Sequence, residues 1–238
     1  MFSSRKISGV VFDKDGTLFG FQEVWGSWCE TVLTELAPDN LDLRLSLADA
    51  AGYNLMTKAF KPGSLVVNAS ADETTQAWTD LLPGRSFADV EAAGLRCLAD
   101  LPLTPIVDLR QLFAALGSAG LKVGVATNDY ESVARNQLRE VGAEDCVDFI
   151  CGFDSGFGSK PGSGMIDAFC KQTGCKVEDV AMIGDSTHDL LAGVAAGVAL
   201  KVGVLTGPAA AEDLSDYSDV VLDDISQLLP WLQNKSLL

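Results

Sequence analysis

The fold is decided by the stretch ISGVVFDKDGTL at residues 7–18, which joins an apolar run to a pair of aspartates. Residues 7–12 are almost entirely apolar, which is typical of a strand buried on both faces of a parallel sheet. Asp13 and Asp15 follow and flank a single residue, so in extended chain their side chains point the same way. Gly16 then permits a tight turn. Both carboxylates are therefore predicted to face one ligand.

Short apolar runs of the same kind recur after residue 104. They occupy residues 122–127, 148–153, 180–185, 199–206 and 220–222. Helical patterns lie between them at residues 106–119, 130–141, 165–173 and 187–196, and each is followed by a glycine typical of a helix end. This alternation predicts an α/β fold built on a doubly wound parallel sheet.

The region between the first strand and the later strands has a different character. Residues 21–103 show helical patterns and no convincing buried strand. The first strand belongs with the later ones, so the helical region is best explained as an insertion. We therefore predict a core domain of residues 1–20 and 104–238 and a smaller, all-helical domain of residues 21–103.

Polar side chains follow several of the predicted core strands. Thr127 and Asn128 come at the end of the second run, and Lys160 lies in the loop after the third. Asp185 ends the fourth run, with Asp189 four residues later. Ligands of open parallel sheets bind at the carboxyl ends of the strands. We expect these residues to converge on one crevice with Asp13 and Asp15.

In their order along the chain, these residues resemble the four signature motifs of the haloacid dehalogenase superfamily of hydrolases. The motifs correspond to residues 13–18, to Thr127 with Asn128, to Lys160 with Pro161, and to residues 184–189. The resemblance covers the whole core and implies a Rossmann-like sheet. The insertion after the first motif is similar to the helical cap of the subfamily that includes phosphoglycolate phosphatases. Lys14 is charged where many relatives carry an apolar residue.

The resemblance also implies roles for the two aspartates of the first motif. Asp13 would be the nucleophile that forms an aspartyl phosphate. Asp15 would be the general acid for the leaving group and then the base that activates water. Mg²⁺ would be bound by the Asp13 carboxylate, the Asp15 main-chain carbonyl and Asp185.

The remaining motif residues are expected to act around that centre. Thr127, Asn128 and Lys160 would bind the phosphate oxygens. Thr17 and Asp189 would support the site from behind the direct ligands. His188, between Thr187 and Asp189, is interpreted as a supporting or surface residue.

The resemblance implies a phosphatase for a small phosphomonoester such as 2-phosphoglycolate. Asp15 favours phosphoester chemistry, because dehalogenase and phosphonate-cleaving members of the superfamily generally lack this aspartate. A phosphosugar mutase shares the cap type and both aspartates. A non-enzymatic aspartate phospho-acceptor is a third hypothesis, although receiver domains are about half this length and have no cap. The cap would exclude water from the crevice.

Several polar residues of the predicted cap are candidates for reading the substrate, although a solvated surface role is the simpler interpretation for any one of them. They are Lys58, Lys61, Asn68, Ser70 and Arg85.

Composition limits the partners. There are 17 basic and 33 acidic residues, and the net charge of −16 disfavours nucleic acids and anionic membrane surfaces. A single small phosphorylated metabolite is compatible with this charge. The six cysteines form no Cys-x-x-Cys pair and are expected to be free thiols. With no predicted signal peptide or membrane span, we expect a cytoplasmic monomer or homodimer.

Overall fold

The computed structural model describes residues 6–61, 63–98 and 103–238. The strands in these ranges are β1 (Gly9–Phe12), β2 (Tyr53–Asn54), β3 (Ala59–Phe60), β4 (Lys122–Ala126), β5 (Phe149–Cys151), β6 (Val180–Gly184), β7 (Leu200–Val204) and β8 (Val220–Leu222). The α-helices are α1 (Phe21–Leu36), α2 (Leu41–Ala51), α3 (Leu65–Asn68), α4 (Ala71–Asp80), α5 (Phe87–Leu98), α6 (Leu109–Ser118), α7 (Glu131–Glu140), α8 (Gly164–Thr173), α9 (Thr187–Ala196), α10 (Ala211–Ser215) and α11 (Leu228–Asn234). Single turns of 3₁₀ helix occur at Glu144–Cys146, Phe153–Ser155, Val177–Asp179 and Ile225–Gln227.

Six of the strands form one parallel sheet in the order β5-β4-β1-β6-β7-β8. The first strand of the chain therefore lies in the middle, between β4 and β6. The strand order reverses at β1, which creates a crevice at the carboxyl ends of the central strands. The predicted α/β fold class is confirmed.

Apolar side chains on both faces explain why β1 is central. Phe12 packs against Phe113 of α6, with ring centroids 5.7 Å apart. Val11 points the other way, into a cluster that includes Phe169 of α8. A strand covered on both faces needs the continuous apolar sequence seen at residues 9–12.

One helix of the core begins later than its pattern predicts. The prediction starts at residue 106, but α6 begins at Leu109. The Asp108 side chain accepts a hydrogen bond from the Gln111 main-chain N–H at 2.9 Å and so caps the helix. The spacing of apolar residues carries no information about a polar capping residue, so the predicted helix starts three residues too early.

The chain divides into two compact units, with borders after Gly20 and before Pro105. The sequence-based borders, 20/21 and 103/104, lie within one residue of these. In the second unit, Trp28 donates its indole N–H to the Gly94 carbonyl at 2.9 Å. Trp78 does the same to the Leu47 carbonyl, also at 2.9 Å. Trp28 thus links helix α1 to α5, and Trp78 links helix α4 to α2.

The second unit also contains a feature that the sequence patterns do not predict. Strands β2 and β3 form an antiparallel ribbon. Each is only two residues long, too short to show a period-two pattern. The short apolar run at residues 65–67 belongs to helix α3.

All six cysteines have free thiols. Within the described ranges, none of the helices combines the length and the apolar character needed to cross a membrane.

Candidate active site

Three buried carboxylates, two after neighbouring strands and one at the start of a helix, meet at the carboxyl edge of the sheet. Asp13 follows β1, and its main-chain N–H donates to the Ile183 carbonyl of β6 at 2.8 Å. Asp185 follows β6, and Asp189 lies in the first turn of α9. Oxygens of the three carboxylates lie within 4.8 Å of one another, and the residues are 7%, 3% and 1% exposed. Like charges at this distance and burial repel strongly unless protons or cations offset them.

The ammonium group of Lys160 supplies part of the compensating charge. Its Nζ contacts Asp13 Oδ1 and lies 2.5 Å from Asp189 Oδ1. Burial alone would lower the pKa of Lys160, but the attraction of the two carboxylates outweighs burial and the pKa is raised. Lys160 is therefore a cation at neutral pH.

One cation does not neutralise three carboxylates. Burial, with the charges of Asp189 and Asp15, raises the pKa of Asp13 to about 7 despite the opposing attraction of Lys160. Burial, with the charges of Asp13 and Asp189, raises the pKa of Asp185 well above its ordinary value. The protein by itself thus retains protons on this cluster close to neutral pH.

This excess of buried carboxylate oxygen is the donor set that a hard divalent cation such as Mg²⁺ prefers. The main chain fits closely around Asp185, because a Cβ atom on Gly16 or on Gly207 would overlap its carboxylate. Gly16 also has φ +86°, in the left-handed region. Thr17 Oγ1 donates to Asp185 Oδ1 at 3.2 Å, and support of a bound metal by Thr17 stays a prediction. These residues fit a metal site formed by the side chains of Asp13 and Asp185, with Asp189 close by. The main-chain carbonyl of Asp15 stays a predicted ligand.

Thr127 and Asn128 follow β4, next to β1 in the sheet. The buried Thr127 hydroxyl accepts a hydrogen bond from the Asp129 main-chain N–H at 3.1 Å, which leaves its hydrogen available to a phosphate oxygen. Asn128 donates Nδ2 to the Lys160 carbonyl at 3.0 Å and accepts the Lys160 N–H on Oδ1 at 2.8 Å. Asn128 thus positions the main chain that carries the Lys160 ammonium, and phosphate binding by Asn128 remains a prediction.

Asp15 lies in a second group of charges, around Lys14. Lys14 Nζ is 2.7 Å from each Asp15 carboxylate oxygen and 3.1 Å from Asp129 Oδ2. It also donates to Gln137 Oε1 at 2.8 Å. Burial opposes the charge of Lys14, but Asp15 and Asp129 outweigh it and the pKa of Lys14 is raised. The charged residue of the first motif is therefore a fully buried cation.

The two remaining residues of the fourth motif differ in their contacts. Asp189 Oδ2 accepts from the main-chain N–H of Ser186 at 3.0 Å and from its hydroxyl at 2.7 Å, which caps α9, while Oδ1 contacts Lys160. His188 is half-buried, and its Nδ1 finds no hydrogen-bond partner among the described residues.

The polar residues proposed to read the substrate have local partners in their own unit. Lys58 pairs with Glu30 at 3.0 Å, and Lys61 pairs with Asp49 at 2.5 Å. Ser70 caps α4. These contacts supply structural roles for the three residues.

Of the other two candidates, Arg85 is exposed in the loop between α4 and α5, and the side chain of Asn68 lies outside the described residues.

Sequence reasoning missed two sets of residues. Thr206 and Gly207 follow β7, and Thr206 Oγ1 donates to the Gly16 carbonyl at 2.5 Å. The predicted strand at residues 199–206 includes Thr206, but β7 ends at Val204, so Thr206 lies in the loop that follows. A polar Thr-Gly pair at a strand end was the available signal. Gln137 on α7 had no such signal, because an isolated glutamine in a polar helix is ordinary.

Residues 7–197, which include every predicted site residue of the core, match the model of the haloacid dehalogenase-like hydrolases. The chain belongs to this family. The family predicted from the sequence is thereby confirmed, and the protein is a haloacid dehalogenase-like hydrolase.

Relatives within the family include phosphatases. A phosphoglycolate phosphatase of Rhodospirillum rubrum is 28% identical over 233 residues, covering 94% of this chain and 90% of the relative. Pyrophosphatase PpaX of Listeria monocytogenes is 27% identical over 226 residues, covering 94% and 95%. A solved structure described as a predicted phosphoglycolate phosphatase of Haemophilus somnus superposes with a TM-score of 0.73 at 18% identity, covering 98% of this chain and 100% of that one. This last likeness concerns the fold alone.

The crowding around Asp185 predicts a strong effect for Gly207→Ala. The added methyl group would displace the Asp185 carboxylate, so we expect metal binding and hydrolytic activity to fall by about 10-fold or more, measured by isothermal titration with Mg²⁺ and by phosphate release. The control is Gly117→Ala, because a Cβ at Gly117 meets no atom within 4 Å. Equal Mg²⁺ affinity in Gly207→Ala and the control would contradict the assigned crowding.

The raised pKa values predict how metal binding and stability change with pH. Asp13 binds a proton more tightly in the folded chain than in the unfolded chain, so it lowers the free energy of unfolding as pH rises from about 4 to about 7. The raised pKa of Asp185 acts in the same direction. Mg²⁺ competes with these protons, so the rise in melting temperature caused by Mg²⁺ should be larger at about pH 8 than at about pH 5.5. Differential scanning fluorimetry with EDTA or Mg²⁺ measures both.

The matched variant for this experiment is Asp185→Asn. It should melt higher than the wild type in EDTA near pH 8, because one repelling charge is removed, and its response to Mg²⁺ should be lost. A Mg²⁺ response in the wild type that does not vary with pH would argue against protons on the carboxylate cluster.

Proposed function

We propose that this hydrolase is a magnesium-dependent phosphatase that acts on a small phosphomonoester through an aspartyl phosphate on Asp13. The observation that carries the proposal is the placement of the Asp13 carboxylate. It is buried at the end of the central strand, in contact with the Lys160 ammonium and beside Asp185. A nucleophile for an anionic phosphate requires such nearby positive charge.

The residues support a two-step displacement. An Asp13 carboxylate oxygen attacks phosphorus, the bond from phosphorus to the ester oxygen breaks, and Asp15 gives its proton to the leaving oxygen. Water then attacks the phosphorus of the aspartyl phosphate and passes a proton to Asp15. The bond between phosphorus and Asp13 breaks, which releases inorganic phosphate and restores both carboxyl groups.

The other groups bind and orient the phosphate. The Lys160 ammonium and the Thr127 hydroxyl would donate to its non-reacting oxygens. Mg²⁺, held by Asp13 and Asp185, would screen the repulsion between nucleophile and substrate. The net charge of −16 favours a small substrate, because a polyanion would be repelled by the whole molecule.

Similarity suggests two substrates. The relative from Rhodospirillum rubrum favours 2-phosphoglycolate, and the relative from Listeria favours pyrophosphate. We propose 2-phosphoglycolate first, because that relative shares slightly more of its residues with this chain. A phosphosugar mutase would use the same nucleophile. It differs from a phosphatase in transferring the phosphoryl group to a sugar instead of to water. The phospho-acceptor hypothesis leaves the inserted unit of residues 21–104 without a role.

The nucleophile is tested by Asp13→Asn. This change should lower Mg²⁺-dependent phosphate release from 4-nitrophenyl phosphate by at least about 1000-fold, because an amide does not attack phosphorus. The control is Asp145→Asn, which changes an exposed aspartate. Activity of Asp13→Asn within 10-fold of the control, or wild-type activity that persists in EDTA, would refute the mechanism.

The substrate is tested with a panel of phosphorylated compounds. We expect 2-phosphoglycolate to give a higher kcat/KM than pyrophosphate or hexose phosphates, measured by release of inorganic phosphate with Mg²⁺ present. A preference for pyrophosphate would replace the proposed substrate and keep the mechanism. Isomer interconversion of a hexose phosphate that depends on a bisphosphate would favour the mutase. A stable phosphoprotein without turnover would favour the phospho-acceptor.

A further inference from the structure

Lys14 lies at the centre of a buried cluster of charges that the proposed mechanism does not yet use. Its side chain has no exposed surface. Its Nζ is 2.7 Å from both Asp15 oxygens, 2.8 Å from Gln137 Oε1 and 3.1 Å from Asp129 Oδ2. A buried ammonium without partners is costly, and an ammonium has three hydrogens to donate. Lys14 donates hydrogen bonds to Asp15 and Gln137, and Asp129 Oδ2 is an ion-pair partner without a hydrogen bond among the described residues. These partners therefore define where the Lys14 headgroup lies.

Two of the partners, Gln137 and Asp129, come from other parts of the core, so the position of Lys14 does not depend on its own loop alone. Gln137 is on α7 and is itself 7% exposed. Asp129 is in the loop after β4, where Oδ1 accepts the Tyr130 N–H at 2.7 Å and its own N–H is bonded to Thr127 Oγ1. Lys14 is thus anchored on two elements that do not belong to the first motif.

The contact with Asp15 has a particular geometry. Both Asp15 carboxylate oxygens are equally close to Lys14 Nζ, so the contact is bidentate. Such a contact restricts rotation of the carboxylate. A carboxylate has about four lone-pair sites, so an ammonium that takes one on each oxygen leaves the others free to accept from water. Asp15 is also 14% exposed, so these sites are not sealed from the crevice.

We propose that Lys14 is a positioning residue that holds the Asp15 carboxylate in one orientation, and that Gln137 and Asp129 hold Lys14. This inference rests on the proposed function, in which Asp15 takes a proton from the water that attacks the aspartyl phosphate. Loss of the grip leaves Asp15 in several orientations, and a base that is misplaced by about 1 Å costs up to about 100-fold in rate. Lys14 itself touches neither substrate nor reacting atoms.

The proposal predicts which step slows. 4-Nitrophenolate leaves without help from an acid, so phosphorylation of Asp13 by 4-nitrophenyl phosphate should change little. Hydrolysis of the aspartyl phosphate needs a positioned base and should become rate-limiting. The variants should therefore release a rapid burst of nitrophenolate, close to one per molecule, followed by slow turnover.

The experiment is stopped-flow kinetics of the full chain with 4-nitrophenyl phosphate and Mg²⁺. For Lys14→Met we expect a burst and a steady-state kcat lower by about 10- to 100-fold, with KM unchanged or lower. Lys14→Met leaves Asp129 without its cation and risks misfolding, so Gln137→Leu is measured in parallel, with an expected loss in kcat of about 3- to 10-fold. Gln137→Glu keeps an acceptor oxygen and should return kcat toward the wild-type value.

The matched control is Gln172→Leu, a glutamine on α8 that bonds only the Asp148 carbonyl at 3.1 Å among the described contacts, and it should behave as wild type. A general structural defect would lower both the amplitude of the nitrophenolate burst and the steady-state kcat. That outcome in Gln137→Leu would overturn the proposal. Wild-type kcat without a burst in Gln137→Leu also overturns it. If wild type itself lacks Mg²⁺-dependent turnover, or Asp13→Asn keeps it, the proposed function fails instead, so the two failures are distinguishable.

Discussion

Repulsion among the carboxylates of Asp13, Asp185 and Asp189 is the constraint on which the site depends. The three are buried with carboxylate oxygens within 4.8 Å of one another, and the Lys160 ammonium contacts two of them, Asp13 and Asp189. Such a cluster is unstable in isolation, and folding it requires protons or a cation in addition to the lysine. The same imbalance that costs stability creates affinity for a divalent ion. The carboxylate cluster therefore lowers the stability of the folded chain and at the same time provides a binding site at this edge of the sheet.

The order of strands explains how distant residues reach this cluster. β1 lies between β4 and β6, so the loops after these three strands are adjacent although they are far apart in the sequence. Crossover connections in parallel sheets place every strand end on the same edge. Asp13, Thr127 and Asp185 therefore come together as a consequence of topology. Lys160 arrives from the next loop, and its main chain is fixed by Asn128.

Sequence patterns predicted those parts of the site that follow from strand ends. The apolar run before Asp13 and the Gly-Asp at residues 184–185 locate two strands and their terminal carboxylates without a structure. Contacts made by side chains across the core are not encoded locally. The partnership of Lys14 with Gln137 joins positions 123 apart, and no periodicity relates them. The close approach of Gly207 to Asp185 depends likewise on two strands lying side by side.

Two lysines divide the acidic residues of the crevice into two environments. Lys160 belongs to the cluster of Asp13, Asp185 and Asp189, in which carboxylates outnumber cations. This cluster could bind a metal ion. Lys14 grips Asp15 at two points and is itself held by Asp129 and a neutral amide, so Asp15 is tied to a cation of the protein. Asp13 and Asp15 are only two residues apart, yet Asp15 pairs with the intervening Lys14, whereas Asp13 belongs to the carboxylate cluster around Lys160. Two identical side chains on one loop can therefore carry different tasks, because their partners, and not their spacing, set their chemistry.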